Sequence, residues 1–197
     1  MLRPAIITAE QWGSTPQPIP EERRHEPRDI VVHHAGVEWQ AGRDPADFIR
    51  NMQAWGQRDK GWPDLPYHFM IAPNGQIYEA RPVEYEGETN TDYDLEGHIL
   101  VELMGNFETQ RPSPNQIVSL VQMLAWLCQE HGCDPNEICG HCDVAPGQTV
   151  CPGRDLHRYI ADGQLAQWVS AKLRGETPTI VIGAPLPDGP TETIPLD

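Results

Sequence analysis

The sequence predicts an α/β fold: one domain with a mixed central β-sheet flanked by helices. Three features support this. The run Asp29-Ile-Val-Val-His33 is β-branched and apolar on successive positions, as in a strand buried on both faces. Two strand-like runs, Tyr67 to Ala72 and Gln76 to Arg81, flank Pro73-Asn74-Gly75, where Asn-Gly is expected to supply the positive φ angles of a tight hairpin. A capping box from Ser113 to Gln116 opens a helix with one long apolar face. At 197 residues the chain has room for one well-buried core, not for two domains with linkers.

Residues 1–28 are punctuated by Pro4, Pro16, Pro18, Pro20 and Pro27 and read as an arm that wraps the domain. The domain itself is assigned to residues 29–174. After the first strand, Asp44-Pro45 supplies an N-cap and first-turn proline, and Phe48, Ile49, Met52 and Trp55 follow at helical spacing before Gly56. Six carboxylates and no base between Glu84 and Glu96 indicate a solvated loop. His98 to Met104 is the next strand. In the capped helix Ile117, Leu120, Val121, Leu124, Leu127 and Cys128 share a face, and Gly132 ends it. Asp155 to Ile160 and Gln164 to Leu173 are helical, with a break at Gly163. Residues 175–197 have five prolines, four acidic residues and no base, so they are expected to form a disordered tail.

Composition narrows the function. Hydrophobic residues make up 39% and charged residues 22%, which is globular. Fourteen Lys and Arg stand against 29 Asp and Glu, a formal charge of −15 that repels polyphosphate, so no nucleic-acid partner is expected. No run approaches the roughly 18 apolar residues of a membrane span, and Met1 to Thr8 has no signal-peptide pattern.

All five cysteines, Cys128, Cys133, Cys139, Cys142 and Cys151, crowd into one segment, which suggests metal or redox chemistry. Within Gly140-His-Cys-Asp-Val-Ala-Pro-Gly-Gln-Thr-Val-Cys-Pro-Gly153, His141 and Cys151 stand ten apart in a loop too rich in Pro and Gly for a continuous helix. Imidazole and thiolate suit zinc, and a catalytic zinc takes three protein ligands and leaves one position open. His33, at the end of a rigid buried strand, is the candidate third ligand.

The sequence resembles the zinc-dependent N-acetylmuramoyl-L-alanine amidases of the type 2 amidase and peptidoglycan recognition protein superfamily. The matching pieces, in family order over residues 7 to about 172, are Ile7-Thr-Ala-Glu-Gln-Trp-Gly13, Ile30-Val-Val-His-His-Ala35, Tyr67-His-Phe69, Gly75-Gln-Ile-Tyr78, Leu103-Met-Gly-Asn-Phe107 and the Gly140–Gly153 segment. The resemblance implies Zn2+ held by His33, His141 and Cys151. It puts Tyr67 at the catalytic tyrosine position, Thr149 where the family has lysine or threonine, and Glu102 at a glutamate of one amidase branch. It implies cleavage of the bond between N-acetylmuramic acid and L-alanine, with peptidoglycan as partner and a bacteriolytic role at the cell wall, in the periplasm or outside the cell, reached by a signal-independent route. Tyr67 and Thr149 would donate to the oxyanion and Glu102 would accept the attacking water's proton. A non-catalytic peptidoglycan-binding module is the alternative. Non-hydrolytic members lack the cysteine ligand, so Cys151 favours an enzyme. The oligomeric state is open.

Other readings compete locally. Cys139-Gly-His-Cys142 resembles a disulfide isomerase motif, but Asp143-Val-Ala-Pro-Gly147 breaks the helix that would activate it. A structural zinc on Cys133, Cys139, Cys142 and Cys151 is a further rival. Asp92-x-Asp94-x-Glu96 begins like a calcium loop yet has Leu103 at the twelfth position. His34 and His68 read as supporting or structural histidines. Trp39, Trp55 and Trp62 are candidates for a sugar-lining groove, with core packing the expectation for Trp55.

Overall fold

The computed structural model describes residues 2–196. Among the described residues six strands form one sheet in the order β1-β4-β3-β5-β2-β6: β1 (Ile6–Ile7), β2 (Asp29–His34), β3 (Phe69–Ile71), β4 (Ile77–Glu79), β5 (His98–Leu103) and β6 (Cys139–Gly140). Only β3 and β4 pair antiparallel, so the sheet is mixed. Parallel neighbours on both sides explain the unbroken apolar run in β2, which is buried from Ile30 to His34. Alternation places Ile30 and Val32 in the main core and turns His33 to the opposite face. Glu102 of β5 stands in register with His33 and therefore shares that face.

The hairpin forms with a different turn from the expected one. Among the described residues no non-glycine has positive φ, and within this turn Gly75 alone takes it, at φ 87°. Gly75 N–H donates to Ala72 O at 2.8 Å, closing a turn in which Pro73 fixes the first central φ. A single left-handed glycine after such a turn is the bulged three-residue hairpin, so Asn74 keeps ordinary φ.

Helices α1 (Ala9–Trp12), α2 (Pro45–Trp55), α3 (Pro114–His131), α4 (His141–Val144), α5 (Arg154–Ala161) and α6 (Gln164–Leu173) flank the sheet. The Ser113 box is present in both directions: Gln116 N–H donates to Ser113 Oγ at 3.0 Å, and Ser113 N–H to Gln116 Oε1 at 3.1 Å. The six stripe residues of α3 are buried, each worth about 1.5–3 kcal/mol if fully removed from water. Because α3 packs against both β3 and α6, Met123 and Ala125 are buried as well. In α2, Asp44 caps the Asp47 N–H at 2.8 Å, and beyond Trp55 the chain widens into a π-turn, Gly56–Lys60.

The N-terminal arm adds strand β1 beside β4 and the capped helix α1, whose Trp12 is buried; both features escaped the sequence reading. Thr8 and Gln11 cap each other's backbone, and Gly13 ends the turn in the left-handed region. Residues 175–196 were expected to be disordered, but they follow an irregular path held to the domain. Arg111 N–H and Ile194 N–H exchange bonds with Glu192 O and Arg111 O, Arg154 and Arg158 hold Asp188 O and Ala184 O, and Ile194 is buried over Gly105. The tail contributes few apolar groups, but arginines on the domain satisfy its carbonyls. Among the described residues no helix is long and apolar enough to cross a membrane.

Candidate active site

Sheet register brings the three candidate ligands together. Val32 of β2 pairs with Gly140 of β6, so His33, the next residue of β2, and His141, which follows Gly140 and opens α4, emerge side by side with ring centroids 4.6 Å apart. The loop after α4 then returns. Cys142 N–H donates to Cys151 O at 2.7 Å, Thr149 Oγ1 accepts the Cys151 N–H at 3.0 Å, and Cys151 Sγ arrives 3.6 Å from His33 Nδ1. Gly153 closes the loop at φ 86°, where a Cβ would lie 2.5 Å from the Phe107 carbonyl carbon, so only glycine fits. One ligand-type atom from each of His33, His141 and Cys151 lies within 4.8 Å of the other two.

The electrostatics favour neutral imidazoles with free lone pairs. Burial, and next the charge of His141, hold His33 well below the usual histidine range; burial pushes His141 down to about 4. His33 Nε2 is buried with no hydrogen-bond partner among the described residues. Burial also pushes the Cys151 thiol up to about 12. The His34 N–H points at Cys151 Sγ at 3.3 Å, and His34 Nδ1 accepts from Phe107 N–H at 3.1 Å, so this histidine supports the cluster. Cys151 faces the two histidines, and Cys133 is buried elsewhere beside Cys128, so the four-cysteine zinc has no counterpart among the described residues. All five cysteines are free thiols.

Tyr67 and Thr149 reach the same cleft, a cavity of about 770 Å³ that also exposes His33, His141 and Cys151. The Tyr67 ring lies 5.1 Å from that of His33. Burial, then the charges of Cys151 and Glu102, raise its phenol well above the usual range, so it remains a proton donor at neutral pH. Glu102 is not in the cleft wall. It is fully buried beneath it, neither carboxyl oxygen has a partner among the described residues, and burial raises it well above the usual carboxylate range. The carboxyl read from sequence as a proton acceptor thus sits under the cleft, in register with His33, and not in its wall.

The structure adds residues that sequence reasoning missed. The loop read as solvated supplies Thr89 and Thr91. Thr91 Oγ1 lies 2.6 Å from His141 Nε2 and Thr89 Oγ1 at 3.4 Å, fixing the orientation of that ring. Tyr93 lays its ring 5.3 Å from His141. The loop is drawn inward because Glu88 meets the buried Arg81 guanidinium at 3.2 Å and Arg23 at 2.9 Å. The only local signal was the Thr-x-Thr triplet inside an acidic run. Trp55, expected in the core, is 37% exposed; it lines the cleft with Trp62, the two rings edge-on at 5.7 Å. Trp39 is buried against Phe48 instead.

The family model for N-acetylmuramoyl-L-alanine amidase matches residues 23–154. Peptidoglycan recognition protein 1 of Bos taurus is 28% identical over 158 residues, 79% of this chain and 82% of its own length. The same-named mouse protein (Mus musculus) is 26% identical over 157 residues, covering 79% and 85%. Among solved structures, Drosophila peptidoglycan recognition protein SA superposes with a TM-score of 0.71 at 25% identity, over 81% of this chain and 92% of that one. The amidase LysC from Clostridium intestinale has the same fold, with a TM-score of 0.66 at 24% identity over 87% and 99%.

Proposed function

Because this chain belongs to the N-acetylmuramoyl-L-alanine amidase family, whose model spans residues 23–154, we propose that it is a zinc hydrolase. Its substrate is the amide between the lactyl group of N-acetylmuramic acid and the L-alanine of the peptidoglycan stem. One observation supports this most directly: His33, His141 and Cys151 converge with a face on the cleft. The donor set fits zinc, since two neutral imidazoles and a thiol are its preferred ligands and His33 Nε2 has no partner among the described residues. Zinc, when bound, supplies Lewis acidity and a nucleophile near neutral pH.

The chain's own groups do the rest. Tyr67 donates its O–H to the scissile carbonyl oxygen as negative charge develops there, a contribution of about 3 kcal/mol for a well-aimed donor. Thr149 has one lone pair engaged by Cys151 N–H, which leaves its O–H free to donate beside Tyr67. Thr91 and Thr89 hold His141 in place. Glu102, in register with His33 on the same face of the sheet, is the group placed to take up the proton of the attacking water. Trp55 and Trp62 offer apolar faces to the substrate at the other end of the cleft. A solved human relative is described in complex with a glycosamyl muramyl pentapeptide, which supports a muropeptide in this cleft.

Digestion of purified peptidoglycan by the zinc-loaded chain, followed by mass spectrometry, tests the reading. Free stem peptides are expected, and a chelator abolishes them. The second reading, a binding module without turnover, is favoured by the recognition proteins among the relatives. It predicts retention of the chain on peptidoglycan with every glycopeptide intact after prolonged digestion.

A further inference from the structure

A second group of ligand-type side chains gathers around the start of the cysteine loop. Cys142 and Asp143 belong to α4 and His157 to the first turn of α5, and one ligand-type atom from each lies within 4.8 Å of the other two. His157 Nε2 stands 3.0 Å and 2.9 Å from the two Asp143 oxygens. Asp143 Oδ2 also accepts Gly140 N–H at 2.7 Å, which aims the carboxylate. A Cβ on Gly140 would lie 2.9 Å from His157 Cδ2 and 2.7 Å from Pro152 Cδ, so the backbone presses against this group and keeps it in place. Cys139 is close by, since negative charge on Asp143 and Cys142 reinforces burial in raising its thiol.

We propose that Cys142, Asp143 and His157 form a second divalent-cation site, suited to zinc, that clamps the loop carrying His141 and Cys151. Sulfur, nitrogen and oxygen in one set favour zinc, whereas magnesium and calcium seek all-oxygen shells. Tetrahedral zinc bonds of 2.0–2.3 Å set ligand atoms roughly 3.3–3.8 Å apart. His157 and Asp143, now 2.9 Å apart at their closest, therefore open slightly to admit the ion. On binding, the Cys142 thiol releases its proton to solvent, and the imidazole turns a bare nitrogen to the ion, the proton it gave Asp143 passing through solvent to its other ring nitrogen. No oxidation state changes. The bond from Cys142 N–H to Cys151 O links the two sites, so an ion here stiffens the segment that presents Cys151 to the cleft.

This site stands independently of whether the cleft hydrolyses peptidoglycan. The full chain is stripped with chelator, saturated with zinc chloride, gel-filtered, and its metal counted by mass spectrometry. Two equivalents are expected in the wild type, one in the Cys142→Ser/His157→Ala double variant and one in His33→Ala. With cobalt, the double variant loses about half of the thiolate-to-metal absorbance. One equivalent in the wild type, or two retained in the double variant, overturns the proposal; the wild-type count needs no variant to fold. A single equivalent that His33→Ala removes sinks this site and leaves the amidase reading intact. Two equivalents without hydrolysis do the reverse.

Discussion

The two irregular loops that wall the cleft, residues 139–153 and 84–96, owe their order to different sources. The first is ordered by short-range bonds of its own: Thr149 to Cys151, Cys142 to Cys151, and Gly153 at the one φ that lets it pass Phe107. The second owes its position to cations outside it, Arg23 in the arm and Arg81 just ahead of the loop, which draw Glu88 under the domain surface. A loop built on local bonds shows itself as a motif. A loop held by partners outside itself has a composition that misleads, since six carboxylates look solvated until the buried arginine is found.

Breaking each loop at its own anchor sharpens this contrast. The largest effect is expected from His33→Ala, which removes the ligand that the cysteine loop closes onto: turnover on peptidoglycan falls at least about 10³-fold, the several kcal/mol a catalytic ion supplies. Circular dichroism should show the fold retained; unchanged turnover would falsify the ligand assignment. Glu88→Ala comes next, because it strands the buried Arg81 charge and should cost about 3–5 kcal/mol in urea unfolding. A loss below 1 kcal/mol would mean that the acidic loop is not anchored there.

Acid probes the same side of the molecule. His68, fully buried, accepts Leu100 N–H at 2.8 Å and bonds Tyr85 O at 2.9 Å, and burial pushes it down to about 3. Its folded value lies below the ordinary 6.5, so the unfolded chain binds the proton first and stability falls as pH drops from 6.5 toward 3. This group alone removes about 2 kcal/mol between pH 7 and pH 5. Urea midpoints at the two values, with His68→Gln flattening the slope, check it. The smallest change is expected from Thr91→Val, which deletes the hydroxyl at His141 Nε2 and should weaken zinc binding by 10- to 100-fold in a competitive chelator titration. Unaltered affinity would reduce the acidic loop to a passive wall.

Much of the fold was legible because its signals are local. The Ser113 box, the left-handed Gly132, the double-sided apolar run of β2 and the Asp44-Pro45 start depend on neighbours within a few residues. Strand β1 was not legible, since two isoleucines carry no period and gain their identity only by pairing with Ile77 and Tyr78. Trp55 misled for a related reason: its helical spacing placed it on the apolar face, while the π-turn at Gly56–Lys60 carries Trp62 against Gly56 and leaves Trp55 at the cleft.

By itself, the sequence determined the longer strands and helices, the acidic charge and the identity of the residues with metal-binding chemistry, because side-chain type and short-range spacing are written into the chain. Only the tertiary structure decided that His33 meets His141 and Cys151, that Glu102 lies buried beneath them, and that Thr91 steadies the imidazole. Those outcomes depend on strand register, burial and charge pairs between residues tens of positions apart. Burial and long-range pairing come into being only when the sheet closes.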